Sequence, residues 1–129
     1  MPETASELDR SVLAMRPFVP AKNFAVSKAF YIDIGMKGRD LGDKLMEMRL
    51  GQFSFLLQDY YVAQWADNFM MHLLVSDVEL WWKHLSSLDL PGRYSVKPPS
   101  APKLEPWGLK VTYLVDPSGL LWHVAEAKV

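Results

Sequence analysis

Three histidines and one arginine carry most of the chemistry this chain can offer. His123 stands in "DPSGLLWHVAEA" (116–127), where a tight Pro/Gly turn feeds a short apolar strand. His72 lies in "NFMMHLLV" beside Met70, Met71 and Leu74, and His84 in "SDVELWWKHLSSL" near Trp82 and Leu85. Arg16 is the single charge in "VLAMRPFVP". An imidazole can donate, accept, bind a metal or exchange a proton near neutral pH. A guanidinium only donates and stays cationic, so it can hold a carboxylate, sulfate or phosphate through paired hydrogen bonds. Each residue also has a plain packing role. Arg16 can make a surface ion pair, and His72 can be wedged half-buried among its apolar neighbours. His84 reads as surface. His123 can be a satisfied core histidine, bonded to a backbone carbonyl or to Thr112, which folding about "DPSG" places opposite it. For His123 the two readings stay open.

Composition narrows the classes. The 129 residues suffice for one domain with a real core, and half are hydrophobic, including five Trp, five Tyr and six Phe. A formal net charge of −1 gives no drive toward nucleic acid or an anionic membrane surface. Without cysteine there are no disulfides, iron–sulfur clusters, thiolate zinc sites or cysteine nucleophiles. No nucleophile elbow, P-loop or dinucleotide fingerprint is present, and "DLPGRYS" reads as a turn. "MPETASELDR" (1–10) reads as a loose polar tail, and no apolar run approaches a membrane span, so a cytoplasmic protein is expected.

The elements that must position these residues come in two similar series. "VLAMRPFVP" alternates as a strand until Pro20, and "NFAVSKAFYIDIG" is a helix with Asn23 as N-cap and Gly35 as stop. "MKGRDL", "KLMEMRL" and "QFSFLLQ" then return to the two-residue period of strands. The second series opens with the strand "NFMMHLLV". It continues with an amphipathic helix, "SDVELWWKHLSSL", in which Ser76 and Glu79 have capping-box spacing. "YSVKP" is a candidate strand, and "GLKVTYLV" and "LLWHVAEA" form a hairpin around "DPSG". Between them "KPPSAPKLEPWG" is too proline-rich to pair, and reads as a stiff surface connection or a lid carrying Trp107. Two such units side by side make one curved sheet with helices outside and a cup inside. The expected fold class is therefore α+β: two βαβββ modules, about 12–60 and 67–127, forming a partly open eight-stranded sheet in one domain (11–129).

The stretches "RPFVPAKNFAVSKAFYIDIG", "MHLLVSDVELWWKHL" and "PWGLKVTYLVDPSGLLWHVAE" resemble the glyoxalase/bleomycin-resistance/extradiol-dioxygenase superfamily, the vicinal oxygen chelate proteins. The resemblance spans roughly residues 12–127. It implies paired βαβββ modules, often a homodimer, and in metal-using members a divalent ion held by His, Gln or Glu inside the cup. Carried over position by position, the first-strand ligand falls on Arg16 and its second-module equivalent on Met70. The glutamate after the closing turn falls on His123. Its first-module counterpart lies within "FSFLL", which holds no ordinary ligand, with Gln58 just beyond. His72 sits two residues past Met70, a shift of about 7 Å along the strand. A fixed cation at about 5 Å repels a dication by roughly 6–7 kcal/mol at an effective dielectric near 20.

These substitutions point to a metal-free protein that binds and sequesters a small molecule, without a cofactor. Bleomycin is itself cationic and would suit Arg16 badly, so an anionic or neutral ligand is expected. The expected ligand-binding set is Arg16, Phe18, Phe55, Leu57, Met70, His72, Trp107, Thr112 and His123, although core packing is an alternative for any one apolar member. The competing reading is a metal-dependent lyase (lactoylglutathione-lyase-like), thiol transferase or dioxygenase. It would use His72 and His123, with Gln58 or Glu126, around a divalent metal. A third is a structural dimer whose cup is filled by its own side chains.

Overall fold

The structure, a computed structural model, describes residues 5–128. After a short helix α1 (Ala5–Ser11) comes the first module: β1 (Phe18–Pro20), α2 (Phe24–Ile34), β2 (Lys37–Asp40), β3 (Leu45–Leu50) and β4 (Phe53–Gln58). A single turn, α3 (Ala63–Ala66), leads to the second module. This contains β5 (Met70–Val75), α4 (Val78–Ser86), α5 (Leu90–Tyr94), β6 (Lys103–Leu104), β7 (Lys110–Val115) and β8 (Leu121–Glu126). The sheet orders are β1-β4-β3-β2 and β5-β8-β7-β6. In each, the first strand runs parallel to the last and the other pairs are antiparallel. The expected pair of βαβββ modules is present, and the ladders stay within each module, giving two sheets of four. No helix among the described residues is long and apolar enough to cross a membrane.

Local chemistry explains the helix ends. The Asn23 side chain accepts from Val26 N, and Gly35 closes α2 at φ 125°, a conformation costly for a residue with a Cβ. In α4 the cap is Asp77, which accepts from Leu80 N, so the capping-box reading of Ser76 and Glu79 is shifted by one residue. Asp77 combines a stronger acceptor with its place immediately before the first helical residue.

Several other expectations change. Within the expected N-terminal tail, residues 5–11 are helical; residues 1–4 lie outside the described part. Only Phe18–Pro20 of "VLAMRPFVP" pairs as strand, because β4 offers β1 just Leu56–Gln58 as partners. "DLPGRYS" forms α5, opened by Asp89 in a left-handed conformation with its carboxylate accepting from Gly92 N. Of "YSVKP", Tyr94 closes α5 and residues 95–98 stay irregular, whereas Lys103–Leu104 inside the proline-rich connection pairs with Lys110–Val111. His84 is not a free surface group. Its Nε2 lies 2.6 Å from the carbonyl oxygen of Ile34 and ties α4 to the end of α2.

The inner face of each sheet feeds one shared core. Val19, Met48, Phe55 and Leu57 from the first module meet Leu85, Leu90, Leu114 and Trp122 from the second. Tyr31 sits at the join, with its ring edge-on to Phe30 and Phe55 and tilted against Trp122. Its hydroxyl donates to Asp116 Oδ2 at 2.6 Å and accepts from Trp122 Nε1 at 3.0 Å. The other Asp116 oxygen accepts from Ser118 N and Leu120 N, which builds the "DPSG" turn around a buried carboxylate. Burial raises the pKa of Asp116, and burial with the neighbouring carboxylate raises that of Tyr31. The turn of the second module is thus bolted to the helix of the first.

Candidate functional site

Strand alternation assigns every β-residue to one of two faces. In the first sheet Val19, Met46, Met48, Phe55 and Leu57 face the core. Lys37, Arg39, Glu47, Arg49, Ser54, Leu56 and Phe18 share the opposite, open face. In the second, Met71, Leu73, Trp122 and Val124 face the core, while Met70, His72, His123 and Tyr113 lie on the open face.

A cavity of about 280 Å³ opens between the modules. It runs between Phe53–Phe55, a stretch of β4 that β1 does not cover, and the edge strand β5. The first module contributes Met36, Met48, Leu50, Phe53, Phe55 and Ser54. The second contributes Met71, His72, Leu73, Leu74 and Trp122. Ser54 and His72 are the polar side chains in an otherwise apolar, methionine-rich wall. Such a lining takes an apolar body and adapts to its shape.

Beside Ser54 lies a cluster of charges. The Glu47 carboxylate is almost fully buried, yet it stands on the open face because three guanidiniums cover it. Arg39 Nε donates to Oε1 at 3.1 Å, while Arg49 Nη2 and Ser54 Oγ donate to Oε2 at 3.3 and 3.0 Å. Arg16 Nε lies 3.2 Å from Oε2 and donates to Ser54 Oγ at 3.0 Å. The Ser54 hydrogen bond, with Arg39, Arg16 and Arg49, holds the Glu47 carboxyl below its ordinary pKa.

His72 and His123 are register partners on β5 and β8, with ring centroids 6.4 Å apart. The Tyr113 ring stands edge-on to His123 at 4.9 Å. Partial burial lowers the His123 pKa, and the charge of His72 adds to the effect against an opposing pull from Glu105.

The residues expected from sequence scatter among these places. Phe55 and His72 line the cavity; Arg16 does not, and is linked to it only by its hydrogen bond to the lining residue Ser54. Phe18 lines a separate cleft of about 150 Å³ with Pro20, Gln58, Tyr60, Val62, Trp65 and Phe69. Leu57 is sealed in the core and lines neither space. Met70 and Trp107 are exposed outside both. Thr112 pairs with Val124, and Tyr113 takes the place opposite His123, so the expected Thr112–His123 contact is off by one residue. Thr112 instead points to the core side, where its buried hydroxyl has no partner. Glu47, Arg39 and Arg49 were not singled out in the sequence, although "KGR" and "EMR" carry them at period two.

The donor set does not suit a divalent ion. Arg16 occupies one ligand position implied by the family resemblance and is itself paired with Glu47, while Met70 occupies another. Leu56 is the register counterpart of His123 in the first module, as Phe18 is of His72. Among the described residues no three His, Asp or Glu side chains converge as a metal site.

Comparison with known proteins agrees with this architecture. No family model matches the chain, and no curated protein matches its sequence significantly. Solved structures do. A bleomycin resistance determinant encoded on the transposon Tn5 superposes with a TM-score of 0.76 at 20% identity, covering 92% of this chain and 100% of that one. The bleomycin-binding protein from Streptomyces verticillus, complexed with copper(II)-bleomycin, gives 0.74 at 20% identity, over 91% and 98%. A lactoylglutathione lyase from Agrobacterium tumefaciens gives 0.67 at 20% identity, over 88% and 93%. With its paired βαβββ modules and their matching strand orders, the chain has the fold of the glyoxalase/bleomycin-resistance proteins, the vicinal oxygen chelate fold.

Proposed function

We propose that the protein binds and sequesters a small molecule in the cavity between its modules, without a metal and without chemistry on the ligand. The observation that carries this reading is the open, methionine- and phenylalanine-lined space between the modules, in a chain that carries Arg16 and Met70 where the family resemblance implies metal ligands. Apolar walls with few polar groups are the ordinary make-up of a small-molecule site. Bleomycin-binding structures of the same fold support ligand binding as a use of this architecture. Arg16, hydrogen-bonded to the lining residue Ser54, favours an anionic or neutral ligand over a cationic one. A homodimer belongs to the reading. Leu13 and Met15 are 96% and 92% exposed in an unpaired segment, and Phe18, Met70 and Leu74 add apolar surface on the sheets. Light scattering behind size exclusion at micromolar concentration checks it: a mass of two chains supports it and a mass of one removes it.

The competing enzyme reading draws on one observation, the register pairing of His72 with His123 on the open face. Metal analysis of untagged protein, followed by calorimetric titration with Mn, Ni and Zn, separates the two. Stoichiometric tight binding abolished by His123→Ala replaces sequestration with metal-dependent chemistry. Ligand saturation at a hundredfold excess over Kd adds about 2.7 kcal/mol to stability, so a thermal-shift screen of apolar and anionic compounds reads binding directly.

A further inference from the structure

A strand at the edge of a sheet exposes a row of unpaired N–H and C=O groups, and folded chains ordinarily blunt it with charge, proline or brevity. The edge strands here are β1, β2, β5 and β6. β1 has three residues and ends on Pro20, β2 carries Lys37, Arg39 and Asp40, and β6 has two residues. β5 has none of these devices. Its six residues, Met70–Val75, hold no proline, lysine, arginine or acid, and its register with β8 is unbroken.

Ladder parity fixes which of its main-chain groups are free. Ala127 N donates to the Val75 carbonyl, so Val75, Leu73 and Met71 turn their N–H and C=O toward β8. Met70, His72 and Leu74 turn theirs the other way, where no hydrogen bond to the protein meets them among the described residues. The cavity touches Met71, His72, Leu73 and Leu74, consecutive residues that belong to both faces, so its wall runs along the edge itself. The opposite wall has the same character. Phe53, Ser54 and Phe55 are also consecutive. Pro17 accepts from Leu56 N but has no N–H to give the Ser54 carbonyl, which would be the next bond of that parallel ladder. Main-chain groups therefore bound the cavity together with apolar side chains.

We infer that the cavity takes a short extended peptide, or a peptide-like molecule, as an added strand on β5. Its amides pair with the free N–H and C=O groups of His72 and Leu74, and its apolar side groups lie among Phe53, Phe55 and Met71. Main-chain pairing gives affinity in recognition of this kind, and side-chain contacts give selectivity. The edge lies in a space of about 280 Å³ between two walls of the same chain, which suits a short segment better than the edge of another folded sheet. This rests on the proposed sequestering function and specifies what is sequestered.

Acetyl-Glu-Leu-Val-Leu-amide and its depsipeptide, in which ester oxygens replace the inner amide N–H groups, test it by calorimetry. The side groups are the same and the donors are gone. The native protein is expected to bind the peptide about tenfold more tightly than the ester, the worth of a hydrogen bond or two. Leu74→Pro removes an edge N–H without touching the β8 ladder, a position where proline is tolerated. It is expected to weaken the peptide by a similar factor and to leave binding of the neutral dye N-phenyl-1-naphthylamine little changed. If that variant does not fold, amide hydrogen exchange at His72 and Leu74 in the native protein gives the same reading, slowed by the peptide and not by the ester. Equal binding of peptide and ester, unaltered exchange at the two amides, or binding of the dye alone overturns the added strand and leaves the cavity function standing. A dimer that Leu74→Pro splits into single chains gives the edge to a second copy, and overturns the peptide as well. Binding of neither dye nor peptide overturns the cavity function, and the ligand class with it.

Discussion

Glu47 shows how one side chain can look ordinary in sequence and be central in space. Three guanidiniums and a hydroxyl converge on it, so its ionised form is favoured in the folded state. A depressed folded pKa contributes stability that is complete above the ordinary value of 4.5 and is lost as pH falls through the lower folded value. Glu47→Gln should therefore lower the melting temperature at pH 7 and flatten the acid limb of stability against pH. Circular dichroism melts from neutral to acid pH read both effects. His123 gives a second window. Its folded pKa lies below the ordinary 6.5, so the unfolded chain takes up the proton first and stability falls as pH drops below 6.5. His123→Gln should reduce that slope, and an unchanged slope would place the imidazole in solvent. At Tyr31, replacement by Phe strips a hydrogen bond from each of two buried groups, Asp116 and Trp122 Nε1. The expected loss is about 1–3 kcal/mol in urea denaturation.

Among the elements, α4 offers a direct check on how a helix start is read. Ser76 and Asp77 are both good N-cap residues, and the spacing of Ser76 to Glu79 favours the first. In the structure only Asp77 accepts from the helix, at Leu80 N. Asp77→Ala should cost about 1 kcal/mol and Ser76→Ala a few tenths. The strands teach a similar lesson. The period-two pattern of "KLMEMRL" and "QFSFLLQ" reveals strands, but only the register, Glu47 opposite Leu56 and Arg49 opposite Ser54, shows which charges share a face. One residue of slip matters greatly at this scale: it moved Thr112 from beside His123 to the core side of its sheet.

For the molecule as a whole, the Tyr31–Phe55–Trp122 cluster makes one core of two modules. Each module's sheet is closed by its own ladders, so the coupling between them runs through this packing, the Asp116 network and side-chain links such as His84 to Ile34 O and Arg93 to Asp33. Chemical unfolding should show a single transition, with tryptophan fluorescence and far-ultraviolet dichroism coinciding. Trp122→Ala should cost about 3–5 kcal/mol, since it empties the join. Two separated transitions in the unaltered protein would mean that the modules are energetically independent, and the cavity between them would lose its rigid walls.

The two repeated series of elements, the ends of α2, the "DPSG" hairpin and the superfamily resemblance were all legible in the chain, because each depends on neighbours within a few residues. Tertiary structure decided the rest. The cavity lies where an uncovered stretch of β4 faces the edge of β5, and the arginines meet at Glu47 only after two hairpins set their register. Local periodicity reports which side of a strand a residue takes. Which side becomes core, and which neighbour covers it, depends on packing between segments far apart in the chain.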